Sequence, residues 1–237
     1  MPYLNWISDT NLKNEVNNLL SIAKNAQRTA FSEFGKNIID PFAALFEMSG
    51  FEIEFQTWLK SETSRQAQKT LQNHVGDFHQ NILGYSSEWT NMKIGNVIDL
   101  VSEKKKMIAE IKNKFNTISG GKLSDLYYSL DKLISPKLSI YKGYTAFYVA
   151  IIPQKGKRYN IPFTPSDKEK GEKCPKNENI RAIDGASFYS LATGSDTALE
   201  DLFDVLPDVI NECHTGNYQF KDQKKLKEFF ISAYHKY

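Results

Sequence analysis

The hydrophobic period of this chain changes abruptly at Gly84. Before it, apolar residues recur at three- and four-residue spacing, the signature of helices with one buried face. After it, short stretches rich in branched and aromatic residues are separated by charged ones, the signature of strands. A chain that switches in this way layers helices on a sheet, so the expected fold class is α/β (α+β).

The order of elements follows from the same pattern. Asp9 or Thr10 caps a first helix whose apolar positions, Leu12, Val16, Leu19, Leu20, Ala23, Ala30, Phe31 and Phe34, run up to Gly35. Asp40 followed by Pro41 starts a short second helix with Phe42, Leu45 and Phe46 on one stripe, ended by Gly50. Trp58, Leu59, Ala67, Leu71, Val75, Phe78 and Ile82 define a long helix over 55–83. Strands are expected at 87–92, 97–101 and 107–115. A break follows at Ser119, Gly120 and Gly121, then a helix at 123–134 and a buried strand at 145–152.

Helix, three strands, helix, strand is therefore the expected core, with a mixed central sheet. Further helices are expected at 184–193, 196–213, with Pro207 inside it, and 222–237. Residues 154–181 show no periodicity, contain Pro162, Pro165 and Pro175, and carry eight basic residues against four acidic ones. They read as a basic loop, and a loop this long in a compact domain is functional or mobile.

With 237 residues, 41% apolar and 13% aromatic, the chain suits a single domain. It divides by pattern into N-terminal helices at 1–54, a helix-and-strand core at 55–152, and the basic loop with C-terminal helices at 153–237. The longest nearly apolar run, 144–153, is about half of what a membrane-spanning helix needs. The first residues lack a basic region followed by an apolar stretch, so the cytoplasm is the expected location. Cys174 and Cys213 are too few for a disulfide framework or a four-thiolate zinc site and are expected as free thiols. The net charge of +2 argues neither for nor against a polyanionic partner, so local charge has to decide. Only Arg28, Arg65, Arg158 and Arg181 can offer a planar, bidentate donor.

Two carboxylates and an ammonium interrupt segments otherwise built for burial: Asp99 in Val97-Ile98-Asp99-Leu100-Val101, and Glu110 and Lys112 in Met107-Ile108-Ala109-Glu110-Ile111-Lys112. Side chains alternate across a strand, so Glu110 and Lys112 share a face. A hairpin loop of two residues, or of four, sets Asp99 opposite Glu110, where facing Cβ atoms lie about 5 Å apart. Carboxylates that close repel unless a cation lies between them, and an oxygen-only ligand set favours magnesium, which accepts substrate phosphate. Lys112 beside such an ion would orient a water and stabilise charge developing on phosphorus oxygens, which makes a phosphodiester the natural substrate. The same three residues also fit a solvated edge with surface ion pairs, as in a non-catalytic DNA-binding protein.

On these residues the chain resembles the PD-(D/E)xK nuclease superfamily, whose αβββαβ core carries an acid on one strand and acid-x-lysine on the next. The match falls on Asp99, Glu110 and Lys112, with Ile98 where a proline often stands. Further segments narrow the resemblance to type II restriction endonucleases that recognise GGNCC. They are Asn5-Trp6-Ile7-Ser8-Asp9, Asn37-Ile38-Ile39-Asp40-Pro41-Phe42 with Ala44-Leu45-Phe46-Glu47, residues 95–116, and Arg181-Ala182-Ile183-Asp184-Gly185-Ala186-Ser187-Phe188-Tyr189.

The resemblance implies a restriction-endonuclease-like fold and magnesium-dependent double-strand cleavage of DNA at GGNCC, leaving 5′-phosphates. It implies a homodimer in which each subunit cuts one strand, and a DNA methyltransferase that acts on the same site without stable binding. By the same resemblance Asp99 and Glu110 hold the magnesium, the Ile111 carbonyl completes its shell and Lys112 positions the attacking water. Glu47 is the candidate for an additional glutamate from an N-terminal helix, against the plainer reading of a solvated helix residue. A nuclease of DNA repair or junction resolution is the alternative activity for the same core.

Reading guanine in the major groove takes arginine or lysine donors. Arg158 and Arg181 are the first candidates, with Lys155, Lys157 and Asn160 behind them. Lys122, after the Ser119-Gly120-Gly121 turn, is a candidate phosphate contact. Ser187 is a secondary candidate for base contact, while Asp184 reads as a helix cap. His74, Asp77 and His79 read as ordinary helix residues, because histidines five apart diverge around a helix.

Overall fold

The computed structural model describes residues 1–93, 97–214 and 222–234. Gly95 and Asn96, within the segment 95–116 cited above, and residues 235–237 of the last expected helix lie outside the described residues. The chain divides into two compact units, Asn17–Val75 and a larger one of Met1–Val16 with Gly76–Tyr237.

The smaller unit holds most of α1 (Asp9–Thr29), all of α2 (Pro41–Gly50) and the first part of α3 (Phe55–Gly84). Asp40 caps α2 as its place before Pro41 predicts: its carboxylate accepts the amides of Phe42 at 2.9 Å and Ala43 at 3.2 Å. α1 is shorter than the apolar spacing suggests. It ends at Thr29, whose hydroxyl bonds back to the Asn25 carbonyl, and a 3₁₀ turn follows at Phe34–Lys36. Phe31 is 72% exposed, so the apolar stripe had no core to follow beyond that point. Only Trp58 and Glu62 are buried in this unit. Arg65 grips the Glu62 carboxylate at 2.5 and 2.6 Å, Gln66 adds a bond at 3.0 Å, and both partners help to line a cavity of about 720 Å³.

The larger unit is built on β1 (Thr90–Asn91), β2 (Leu100–Ser102), β3 (Met107–Lys114), α4 (Leu123–Ile134) and β4 (Thr145–Ile152). β5 (Asn160–Pro162), β6 (Ser166–Asp167), β7 (Glu172–Lys173), β8 (Ile180–Asp184), α5 (Gly185–Thr193), α6 (Ala198–Cys213) and α7 (Gln223–Tyr234) complete it. Among the described residues the main sheet has six strands in the order β1-β2-β3-β4-β8-β5. β1 pairs antiparallel with β2 and β2 with β3, β3, β4 and β8 are parallel to one another, and β5 returns antiparallel to β8. The sheet is mixed, and α3, three strands, α4 and β4 form the expected restriction-endonuclease-like αβββαβ core.

Both faces of the sheet are covered, which is why β4 is apolar along its length. Tyr127, Leu130 and Ile134 of α4 lie in one cluster with Ile108, Ala146 and Tyr148. On the opposite face Phe188 of α5 meets Phe147 and Trp89 edge-on, with ring centroids at 5.8 and 5.3 Å. α5 starts against β4 so closely that a Cβ on Gly185 would sit 2.5 Å from the Ile151 carbonyl oxygen.

The strands are shorter than expected from the residue pattern. The first keeps only Thr90–Asn91 of 87–92, and the second begins at Leu100, since Val97 is half-exposed and Ile98 is buried outside the ladder. The stretch 154–181 is not a structureless loop: β5 pairs with β8, and β6 and β7 form their own two-stranded hairpin. That hairpin is tied to α4 by the Tyr128 hydroxyl, which donates to Asp167 at 2.9 Å. β8 escaped notice because Arg181 and Asp184 make a five-residue strand look like polar linker. Its Ile180 and Ile183 are nonetheless fully buried.

Candidate active site

The connection between β2 and β3 has four residues, 103–106, and the ladder above it pairs Ser102 with Met107, Val101 with Ile108 and Leu100 with Ala109. The ladder ends there, one residue short of Asp99 and Glu110, whose carboxyl groups nonetheless lie close enough to act on each other and on Lys112. At this step the two backbones part. The Asp99 amide still donates to the Ala109 carbonyl at 2.9 Å, but the Asp99 carbonyl has turned to the Met92 amide at 2.8 Å. The Asp99 carboxylate takes the vacated place, its Oδ2 accepting the Ile111 amide at 2.7 Å.

Lys112 Nζ lies 2.5 Å from Glu110 Oε1, and Glu110 Oε2 is buried without a hydrogen-bond partner. Burial pushes the Glu110 carboxyl up to about 7, with the neighbouring Asp99 charge adding to the rise and Lys112 opposing it. Burial also raises Asp99, against the pull of the Ile111 amide and the Lys112 charge. Two half-hidden carboxylates and one orphaned oxygen form an oxygen-only donor set with unspent negative charge, which fits a hard divalent cation. Among the described residues no three His, Cys, Asp or Glu side chains converge on one point, so the centre is a pair of acids with an ammonium.

The hairpin that carries the pair is fastened at its tip. Lys105 donates to the carbonyls of Leu191 at 2.8 Å and Ala192 at 3.2 Å, satisfying the last turn of α5 with a positive charge where the helix dipole favours one. Residue type alone did not reveal this role, because a lysine in a turn looks solvated.

The candidate DNA-reading residues sort into two pairs at the β5–β8 edge and the start of α5. Arg158 Nε donates to Ser187 Oγ at 3.2 Å. Arg181 donates twice to Asn160, to its side chain and its carbonyl, each at 2.6 Å, and also reaches Glu178. Lys155 and Lys157 are exposed ahead of β5, and Lys122 is exposed in the 3₁₀ turn before α4. Asp184 is the cap it was read to be, accepting the amides of Ser187 at 2.9 Å and Tyr159 at 2.6 Å. Glu47 belongs to the smaller unit, where the Trp58 indole donates to its Oε2 at 2.8 Å. His79 is partly buried and shares a 2.8 Å hydrogen bond with the Tyr189 hydroxyl, and loss of solvation pulls its imidazole down to about 4.

Residues 4–214 match the sequence model of the Eco47II restriction endonuclease family. The chain belongs to that family. The Eco47II-family match runs from the start of the chain through α6 and takes in both strands of the acid pair. The type II restriction enzyme Eco47II of Escherichia coli is 53% identical over 99% of this chain and 100% of its own length. The type II restriction enzyme Sau96I of Staphylococcus aureus is 30% identical over 89% of this chain and 80% of its own. Restriction endonucleases act on double-stranded DNA, and type II enzymes generally require a divalent metal ion. In this Eco47II-family chain the Asp99–Glu110 pair is the donor set that fits one. No helix among the described residues is long and apolar enough to cross a membrane.

Proposed function

We propose that this chain is a type II restriction endonuclease that hydrolyses a phosphodiester bond in each strand of DNA at a specific sequence. The observation that carries the reading is the convergence of Asp99, Glu110 and Lys112 on one face of the β2–β3 hairpin. Asp99, Glu110 and the Ile111 carbonyl would hold a magnesium ion. When bound, such an ion would supply Lewis-acid chemistry at the scissile phosphate. Glu110 is ionised for this, because only the carboxylate form binds a hard cation. Lys112 positions the attacking water and stabilises charge on the phosphate oxygens, and cleavage leaves 5′-phosphates. Glu47 is the additional carboxylate from the N-terminal helices, oriented by its bond to Trp58.

Arg158 and Arg181 read guanine, Lys155, Lys157, Asn160 and Ser187 contribute further DNA contacts, and Lys122 binds a phosphate. The site is GGNCC, the enzyme works as a homodimer in the cytoplasm over the whole chain 1–237, and a methyltransferase protects the host at the same sequence. Digestion of a long unmodified DNA with magnesium tests this directly. Discrete fragments with 5′-phosphate ends at GGNCC are expected. Lys112→Ala should slow cutting by roughly 10²–10⁴-fold while leaving DNA binding and the circular-dichroism spectrum intact. A smear, or intact DNA, would count against the reading.

A further inference from the structure

The Asp99 backbone is held from two sides at the point where the β2–β3 ladder ends. Its amide donates to the Ala109 carbonyl at 2.9 Å, and its carbonyl accepts the Met92 amide at 2.8 Å. Whatever fixes Met92 therefore fixes the backbone from which the Asp99 carboxylate extends. Among the described residues β1 is an edge strand, with Thr90 paired to Val101 and Asn91 to Leu100, and so short a ladder is a weak hold by itself. The Asn91 side chain supplies the remainder. Its Oδ1 accepts Gln80 Nε2 and the Lys93 amide, each at 2.9 Å, and its Nδ2 donates to Asn81 Oδ1 at 2.8 Å. The bond to Lys93, whose φ is positive, turns the chain directly after Met92. α3 lies close against the same side chain: a Cβ on Gly84 would sit 2.8 Å from Asn91 Cβ.

Asn81 passes the constraint on to α1. Its Nδ2 donates to Glu15 Oε2 at 2.9 Å, and Glu15, Gln80, Asn81 and Asn91 all belong to the larger unit and are partly buried. A carboxylate can only accept, so Glu15 sets the orientation of both asparagine amides. Asn81 has to turn its Nδ2 to Glu15 and its Oδ1 to Asn91. Asn91 is then left with Nδ2 for Asn81 and Oδ1 for Gln80 and the Lys93 amide, which is the arrangement found. An apolar contact would keep β1 on α3, whereas a fully satisfied polar chain also fixes its position and direction. We propose that Asn91, oriented by Glu15 through Asn81, is a positioning residue for cleavage: it holds Met92, Met92 holds the Asp99 carbonyl, and the Asp99 carboxylate is thereby set against the Ile111 amide. The part of Asp99 in cleavage rests on the nuclease reading, whereas the chain of bonds does not.

Reversing the polarity of the chain tests this. Asn91→Asp keeps the shape and the acceptor for Gln80 and Lys93 but loses the donor to Asn81, and an Asn81 that turns to donate presents its oxygen to the Glu15 carboxylate. Asn91→Asp/Glu15→Gln restores a donor at the far end and lets every member pair again. Hydrogen exchange at the Ile111 amide, followed by NMR on the full-length chain without metal or DNA, reads the place of Asp99, whose Oδ2 is the acceptor. Asn91→Asp should speed that exchange by about tenfold relative to the other amides of β3. It should also weaken manganese binding in isothermal titration calorimetry by roughly 10–100-fold, and lower kcat for DNA cleavage with KM unmoved. The double variant should recover most of each loss. A native Ile111 exchange rate in Asn91→Asp overturns the proposal, as does a double variant no better than the single one, or one that fails to fold where the single one fails. So does a fall in melting temperature in which Ile111 moves only in step with the rest of β3, the mark of a scaffold residue. Intact DNA and no manganese binding with the native chain would overturn the nuclease reading and leave the exchange result standing.

Discussion

Asp99 meets Ile111 through its side chain and not through its backbone, its Oδ2 holding the Ile111 amide at 2.7 Å. This bond gives the acid a structural task alongside any part it plays in catalysis. Asp99→Asn keeps an acceptor for that amide and should fold with nearly native stability. Asp99→Ala leaves the amide unpaired in a buried setting and should cost about 1–3 kcal/mol in urea denaturation. Both variants should fail to cleave DNA, and the split between stability and activity is what separates the two tasks.

Glu110 sets a pH dependence with a definite sign. Its folded pKa, about 7, lies above the ordinary value of 4.5, so the folded state holds a proton that the unfolded state releases, and stability falls as pH rises through that interval. Glu110→Gln escapes this loss. It should melt higher than the native chain at about pH 8 and lose that advantage at about pH 4, where both carry a neutral group. Magnesium at the higher pH should raise the melting temperature of the native chain and leave Glu110→Gln unmoved, as differential scanning fluorimetry would register.

His79 slopes the other way. Its folded pKa, about 4, is below the ordinary 6.5, so the unfolded chain takes up the proton first and stability is lost as pH falls through that window. The loss attributable to this partly buried group is at most about 3 kcal/mol. His79→Gln retains a partner for the Tyr189 hydroxyl and should flatten the acid side of the stability profile, which denaturant titrations at stepped pH would resolve.

Gly185→Ala places a methyl group within the backbone of Ile151, with no flexible neighbour to yield. A loss of at least about 2 kcal/mol in unfolding free energy is expected. Gly121→Ala, where nothing lies within 4 Å of the added carbon, should cost far less and serves as the control.

The two arginine pairs predict different DNA phenotypes from the lysines. Arg181→Ala or Arg158→Ala should relax discrimination among sequences by about 1–3 kcal/mol at the positions they read. Lys155→Ala and Lys157→Ala should weaken binding uniformly and flatten its salt dependence. Fluorescence anisotropy on cognate and scrambled duplexes at several salt concentrations distinguishes the two patterns.

The core could be read in advance where burial wrote a strong period. The Asp40–Pro41 start of α2, the long α3, the α4 stripe and β4 all follow from apolar spacing and caps. The acid pair could be read because charged residues stood inside strands that otherwise called for burial. What escaped was decided by partners distant in the chain. β8 exists because β4 and β5 flank it, the bond from Lys105 to α5 spans more than eighty residues, and the truncation of α1 reflects the absence of a surface to bury Phe31. Local pattern carries no record of such neighbours.

The four-residue turn at 103–106 has a consequence for how this molecule can diverge. Because a strand presents its side chains alternately, adding or deleting one residue there would slide β2 by one place and swing Asp99 to the far side of the sheet from Glu110. Descendants of this chain are therefore free to respell that turn around Lys105 but not to change its length by an odd number of residues.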